Sequence, residues 1–202
     1  MSDIVSQTTG VNDAVLAERL GRTSQRERKI VTHTFPHHPP REIDVSLGPL
    51  PMSWNEQVLV AVVQLLAPMI AVEVGILFGQ TTAALATVLP PGGKIYGLDV
   101  QVDRVRDYIN LWPELWEKIE LREGNSHSTL GTLPDGIDFA YIDGEHTNSH
   151  ILREIQILWP KLSPNAIVAF HDANATMDAI ATLPNRLRFP AGPGLVLVQN
   201  RI

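Results

Sequence analysis

The sequence has no cysteine. That excludes a disulfide framework, a thiolate zinc site, an iron–sulfur cluster and a cysteine nucleophile. It has no excess of basic residues either: 16 Lys and Arg stand against 22 Asp and Glu, a formal net charge of −6. A protein that grips a phosphate backbone normally carries a basic face, so nucleic acid is not an expected partner. Nor is there an unbroken apolar run long enough to cross a bilayer. The longest candidate, Val58 to Phe78, is interrupted by Gln64, Pro68 and Glu73, whereas a spanning helix needs about 20 apolar residues. No membrane partner is expected. Met1 to Asp13 is polar and lacks the apolar core of a secretory signal, which makes the cytoplasm the expected location.

What is present suits one globular core. The chain has 202 residues, 44% hydrophobic and 19% charged, too apolar for a disordered chain. Residues 1–51 read as an amino-terminal arm that serves as a lid or a dimer contact. Within it, Asn12 to Leu20 has the spacing of a short helix, while Thr34 to Arg41 (TFPHHPPR) resists regular structure. Residues 52–202 read as the functional domain. Ser53 with Glu56 forms a capping-box pattern that starts a helix running to about Ala67. Apolar runs then alternate with helical segments. Strands are expected at Ile70 to Val74, Lys94 to Leu98, Ile119 to Arg122, Ile137 to Ile142 and Ala166 to Phe170, and a terminal hairpin at Leu187 to Phe189 and Leu195 to Val198. Helices are expected at Thr81 to Val88, Asp103 to Asn110 and Ser149 to Trp159, with a short helix or turn at Ser128 to Thr132. This pattern predicts an α/β fold: a doubly wound, mostly parallel, Rossmann-like sheet with a terminal antiparallel hairpin.

In such a sheet ligands sit beyond the carboxyl ends of the strands. Polar residues accumulate at those ends: Glu73, Asp99, Ser126, Asp143, His171 and Asp172. Any one acid there is as readily a helix cap, but so many at one rim favour a site. Glu73-Val-Gly75-Ile-Leu-Phe-Gly79-Gln-Thr81 is a glycine turn between strand and helix. It departs from G-x-G-x-x-G because Leu77 stands where a second glycine is needed, which disfavours a nicotinamide dehydrogenase. Asp99, after the next strand, stands where a carboxylate accepts hydrogen bonds from ribose hydroxyls.

E-x-G-x-x-x-G-x-T, an acid after the following strand, then Gly124-Asn125-Ser126, Y-I-D-G-E-H at Tyr141 to His146 and F-H-D at Phe170 to Asp172 together resemble a class I S-adenosylmethionine-dependent methyltransferase. More narrowly, they are similar to the metal-dependent small-molecule O-methyltransferases of the catechol and the macrolide-sugar and antibiotic-tailoring types. The resemblance covers Ala71 to Val198. It implies a cofactor site in which Glu73, Gly75 and Gly79 form the methionine end and its turn, Asp99 holds the ribose, Ser126 lies beside the adenine, and Asp143 borders both cofactor and metal. The alternative for Ser126 is a helix cap.

Asp143, Asp172 and His171 end two strands that are expected to be neighbours. Carboxylates crowded in a cleft raise one another's pKa, and a divalent cation removes that penalty. Oxygen ligands suit Mg²⁺. A histidine at 171, where relatives have Asp or Glu, opens the site to Mn²⁺, Fe²⁺ or Zn²⁺. His146 follows Asp143 by three residues, the offset at which relatives place a base, and an imidazole titrates near neutral pH. Glu145 is the reserve base. His146 and His150 also have the i, i+4 spacing of a zinc pair, without a third ligand of the usual spacing. The expected partner is a small hydroxylated acceptor, and a homodimer or higher oligomer is open. Two other readings keep the fold: a metal-dependent hydroxylase, and a non-catalytic S-adenosylmethionine-binding protein.

Overall fold

The computed structural model describes residues 29–33, 40–49 and 53–201. Its centre is a seven-stranded sheet. With β1 at Ile30–His33 and β2 at Arg41–Asp44, the sheet strands are β3 (Ile70–Val74), β4 (Lys94–Asp99), β5 (Ile119–Glu123), β6 (Ile137–Ile142), β7 (Leu162–Phe170), β8 (Arg186–Phe189) and β9 (Leu195–Gln199). Their order across the sheet is β5-β4-β3-β6-β7-β9-β8. The first five run parallel, and β9 is antiparallel to both β7 and β8. The expected sheet class and terminal hairpin are both present.

The helices are α1 (Trp54–Leu66), α2 (Gln80–Val88), α3 (Asp103–Ile109), α4 (Ser126–Thr129), α5 (Asn148–Leu158) and α6 (Met177–Ile180). The Ser53–Glu56 capping box forms: the Glu56 amide donates to Ser53 Oγ at 3.2 Å, and the Ser53 amide donates back to Glu56 Oε2 at 2.9 Å. The helix ends at Ala67, which turns left-handed. Each face of the sheet buries its own core. Leu59, Val63, Leu85, Ile95, Phe139 and Tyr141 fill one side. Val72, Val74, Ile142, Ile151, Leu158 and Phe170 fill the other. Alternation along β3 and β6 sends neighbouring residues to opposite cores, which is why both strands read as continuous apolar runs. No helix among the described residues is long and apolar enough to cross a membrane.

The register fixes the site. Val74 pairs with Leu98 and with Ile142, and Ile142 pairs with Phe170. The residues that follow, Gly75, Asp99, Asp143 and His171, therefore leave the sheet at one level. Backbone bonds extend the ladder by one step: Gly75 donates to Leu98 at 2.8 Å, Asp143 to Val74 at 2.8 Å and His171 to Ile142 at 3.0 Å. Strand order reverses at β3, whose neighbours are β4 on one side and β6 on the other, which is the place where a parallel sheet opens a crevice.

Three local readings differ. Within the stretch expected to be an arm, β1 and β2 pair as an antiparallel hairpin, with Ile30 opposite Asp44 and His33 opposite Arg41. Ile43 and Val45 pack on the core, and the Val45 carbonyl accepts a bond from Trp112 Nε1 at 2.9 Å. The short alternation of Ile43 and Val45 with Glu42 and Asp44 was too brief to read as a strand. The helix expected at Asn12 to Leu20 and most of the TFPHHPPR stretch lie outside the described residues. Strand β7 starts four residues before the expected Ala166, because the Ser-Pro-Asn segment is accommodated by a register shift opposite β6 and by a bond from Ser163 Oγ to Asp138 at 2.8 Å. The short α6 had no periodic signal.

Gly79 marks where α2 begins. Its φ is +81°, and a Cβ there would lie 2.5 Å from Val105 Cγ1 on α3. Gly79→Ala is expected to lower unfolding free energy by about 1–3 kcal/mol through overpacking. Adding Val105→Ala should relieve the steric part and leave the strain of the left-handed backbone. Chemical denaturation of the single and double variants measures both. Equal stability of Gly79→Ala and wild type would refute the contact.

Candidate active site

At the carboxyl ends of the parallel strands lies a cavity of about 520 Å³. Its wall is built from successive loops: Gly75 and Leu77 after β3, Asp99 and Val100 after β4, Asn125 and Ser126 after β5, and Asp143, Glu145 and His146 after β6, with His150 on α5. Of the residues predicted from sequence, Gly75, Asp99, Ser126, Asp143, Glu145 and His146 line it. Glu73 and Gly79 do not.

Gly75 is where the walls come closest. Its φ is +81°, and a Cβ on it would stand 2.3 Å from the carbonyl oxygen of Asp143. Only glycine lets the β3 turn and the β6 loop share this space. The turn continues through Leu77, itself left-handed at φ 46°. Asp99 braces it: one carboxylate oxygen accepts the amides of Ile76 and Leu77, each at 3.0 Å, and the other accepts Gln101 at 3.0 Å. A carboxylate has about four acceptor directions, so Asp99 keeps capacity toward the cavity that it borders.

Glu73 sits beneath this turn, 1% exposed, and accepts the Thr82 hydroxyl at 2.5 Å. Burial drives its pKa well above the usual glutamate range. The Thr82 bond opposes this, and the charges of Asp143, Glu56 and Asp99 add to it. Its place in the structure is a buried support of the turn, one layer behind the wall.

A second constellation lies where β6 and β7 end. His171 Nδ1 is 2.8 Å from Asp143 Oδ1 and 3.5 Å from Asp172 Oδ1. His146 Nε2 is 3.1 Å from Asp172 Oδ2 and 3.8 Å from Asp143 Oδ1. Tyr141 donates its hydroxyl to Asp143 Oδ2 at 3.0 Å. Asp172 adopts φ 46°, which turns the chain out of the strand at this point. Burial lowers the pKa of His171, but the hydrogen bond and charge of Asp143, with the charge of Asp172, outweigh it and hold the pKa above the usual histidine value.

Among the described residues, Asp143, His146 and His171 form a trio whose ligand atoms all lie within 4.8 Å of one another. The sequence reading had grouped Asp143, His171 and Asp172 as metal ligands and kept His146 as the base. The structure brings all four side chains together and makes His146 a neighbour of both acids.

A third group joins residues that the sequence reading treats separately, Ser126 and His150, with Glu154. Asn125, rather than Ser126, caps the short α4 by accepting the His127 amide at 2.9 Å. The Ser126 hydroxyl is thereby left to meet His150 Nε2 at 3.0 Å. The buried Glu154 stands beside the same nitrogen. The i, i+4 spacing of His146 and His150 was visible, but the convergence of His150 with Glu154 and Ser126 is tertiary.

The family profile described as a methyltransferase domain matches residues 72–173. No curated protein matches the sequence. Solved structures share the fold. A methyltransferase from Geobacter sulfurreducens is 16% identical with a TM-score of 0.64, covering 75% of this chain and 81% of its own. An O-methyltransferase from Bacillus cereus, solved in complex with SAH, is 18% identical with a TM-score of 0.62, covering 72% and 80%. The O-methyltransferase TomG from Streptomyces achromogenes, involved in tomaymycin synthesis and solved with SAM, is 15% identical with a TM-score of 0.62, covering 73% and 79%.

The buried Glu73 makes a pH prediction. With its folded-state pKa raised above the ordinary value of 4.5, the folded protein binds the proton more tightly than the unfolded chain. Its favourable contribution is complete below that ordinary value and is lost as pH rises toward the raised folded pKa. Glu73→Gln, which keeps an acceptor for Thr82 and removes the ionisation, should therefore flatten the fall in melting temperature as pH increases above about 5. Identical pH profiles for wild type and variant would show that Glu73 does not retain its proton.

Proposed function

The chain belongs to the methyltransferase-domain family, and from that membership we propose an S-adenosylmethionine-dependent O-methyltransferase acting on a hydroxyl of a small molecule with the help of a divalent cation. The observation that carries the reading is the continuity of two features. A cavity bordered by Asp99 and Ser126 ends at Asp143, and Asp143 belongs to the cluster with His146, His171 and Asp172. Neighbours of the same fold solved with SAM or SAH support the nucleoside half.

The cluster fits a cation. Two carboxylates and two imidazoles converge with donor separations of 2.8 to 3.8 Å, close to the spacing of adjacent ligands around an ion that binds oxygen or nitrogen at about 2.0–2.2 Å. Nδ1 of His171 faces both carboxylates, 2.8 Å from Asp143 Oδ1 and 3.5 Å from Asp172 Oδ1. When bound, the cation supplies Lewis acidity to an acceptor hydroxyl, and S-adenosylmethionine supplies the methyl group.

The protein's own side chains do the rest. Asp143, His171 and Asp172 hold the cation, and Mg²⁺, Mn²⁺, Fe²⁺ and Zn²⁺ all remain compatible with a mixed oxygen and nitrogen set. Tyr141 fixes Asp143 through its hydroxyl. His146 Nε2 takes the acceptor proton, and Asp172 Oδ2, 3.1 Å from that nitrogen, stabilises the cationic imidazole that results. Glu145 is turned toward Thr147 and His150, with Oε1 accepting the Thr147 hydroxyl at 2.9 Å, which makes it the weaker candidate for the base. Gly75 and the Asp99-braced turn keep the cavity floor rigid, so that the two reactants meet in one alignment.

One observation favours a second reading. Asp143, His146 and His171 are two imidazoles and a carboxylate within mutual reach, the donor type of non-haem iron oxygenases. Iron-dependent oxygen consumption without methyl transfer would select that reading over ours.

Thermal shift and methyl-transfer assays test the proposal. S-adenosylhomocysteine at 100 times its Kd should stabilise the fold by about 2.7 kcal/mol, with no comparable effect from NAD. Asp172→Ala should lose cation binding and turnover while keeping the nucleoside shift. His146→Ala should keep cation binding and lose about 10²- to 10⁴-fold in turnover. If His146→Ala also abolishes cation binding, its nitrogen is a ligand and the base is elsewhere. Wild-type turnover that is indifferent to chelator would overturn the metal half.

A further inference from the structure

Across the cavity from the acidic cluster, one side chain joins three elements. His150, on α5, is 13% exposed. Its Nε2 lies 3.0 Å from Ser126 Oγ, at the start of α4, and 3.2 Å from Glu154 Oε1, one turn further along α5. Its Nδ1 lies 3.3 Å from Glu145 Oε2, in the loop after β6. Ser126, Glu145 and His150 all border the cavity. In the sheet, β4 and β3 separate β5 from β6, so no strand pairing joins the loops that carry Ser126 and Glu145. The imidazole is what spans between them.

The bridge is held from behind. Glu154 is fully buried, with Oε1 3.2 Å from His150 Nε2. Burial pushes its pKa up, while Ser126, His150 and His127 pull it down. His127 stacks on His150 with ring centroids 4.0 Å apart and planes 31° from parallel, which fixes the plane of the ring. A buried carboxylate is costly unless its partners are in place, so Glu154 makes one position of His150 strongly preferred.

We infer that His150 is a positioning residue: anchored by Glu154 and stacked on His127, it ties Ser126 to Glu145 and sets the width of the nucleoside cavity at its Ser126 wall. Its occupant is the adenosyl part of the cosubstrate, so the inference rests on the proposed S-adenosylmethionine reading. It assigns His150 no proton transfer. With the tie cut, the loops after β5 and β6 separate, the nucleoside binds more weakly, and the acidic cluster that faces the acceptor is left as it was.

The test separates this from a merely structural role. S-adenosylhomocysteine affinity is measured by calorimetry, and KM and kcat by methyl transfer, for wild type, His150→Gln, His150→Ala and the double variant His150→Ala/Glu154→Gln. The double variant removes the buried charge that His150→Ala alone would strand. In the double variant, Kd for S-adenosylhomocysteine and KM for the methyl donor should rise about tenfold, the scale of one lost hydrogen bond to a charged or strongly polar partner. The kcat at saturating donor should change less than twofold, and the KM for acceptor should stay unchanged. His150→Gln, which restores a donor and an acceptor, should recover part of the affinity. A double variant that is folded by circular dichroism and binds S-adenosylhomocysteine as tightly as wild type overturns the inference, as does a loss confined to kcat. Failure of wild type to bind S-adenosylhomocysteine overturns the nucleoside reading itself, and this inference with it.

Discussion

The near-contact between Gly75 and the backbone of Asp143 is the constraint on which the site depends. Two parallel strands that pair in register must diverge where the sheet ends, and here they diverge with no side chain between them. Because Gly75 lacks a Cβ, the β3 turn stays pressed against the β6 loop. Asp143 then borders the cavity and also faces the β7 end, where His171 and Asp172 stand. A bulkier residue at 75 would force the loops apart and separate the nucleoside cavity from the acidic cluster. The same economy governs Asp99: its carboxylate ties down the amides of Ile76 and Leu77, so that one residue both shapes the turn and borders the space above it.

The acids around the sheet end share a charge but live in different environments. Glu73 is enclosed by the core, where burial drives its pKa well above the ordinary glutamate range, with Thr82 as partner. Asp143 and Asp172 are partly exposed and flanked by His171, His146 and the Tyr141 hydroxyl. Proximity of like charges would disfavour both ionised states together. The imidazoles stand between the two carboxylates, and burial, by raising the pKa of Glu73, limits the charge added beneath them. Burial thus separates the enclosed acid beneath the turn from the partly exposed ones at the rim.

Much of this was legible because it is local. The Ser53–Glu56 capping box, the apolar runs of β3 and β6, and the punctuation by Gly75, Asp99, Asp143 and His171 all follow from residues close in sequence, and the helix starts at Ser53 as read. The methyltransferase resemblance rested on those same strand ends, and the matching family profile spans them. What was not legible is non-local. The family resemblance implies a place at the cofactor for Glu73 and Gly79, and neither borders the cavity. In the structure one lies behind the wall and the other packs against Val105, which depends on α3 and cannot be read from the turn. The grouping of His150 with Ser126 and Glu145 needs the loops after β5 and β6 to meet across two intervening strands. The β1–β2 hairpin was missed because its alternation is only four residues long on each side.

Charge gives the proposed chemistry a direction. Asp99, Asp143, Glu145 and Asp172 are all on or beside the rim, in a chain with a net charge of −6. A sulfonium cosubstrate is a cation, and a cleft lined with carboxylates raises its local concentration and speeds its capture. After methyl transfer the sulfur is an uncharged thioether, so the part of the attraction that acts on sulfur disappears with the reaction. The acidic rim therefore binds the donor more strongly than the spent product. That asymmetry favours turnover over product retention.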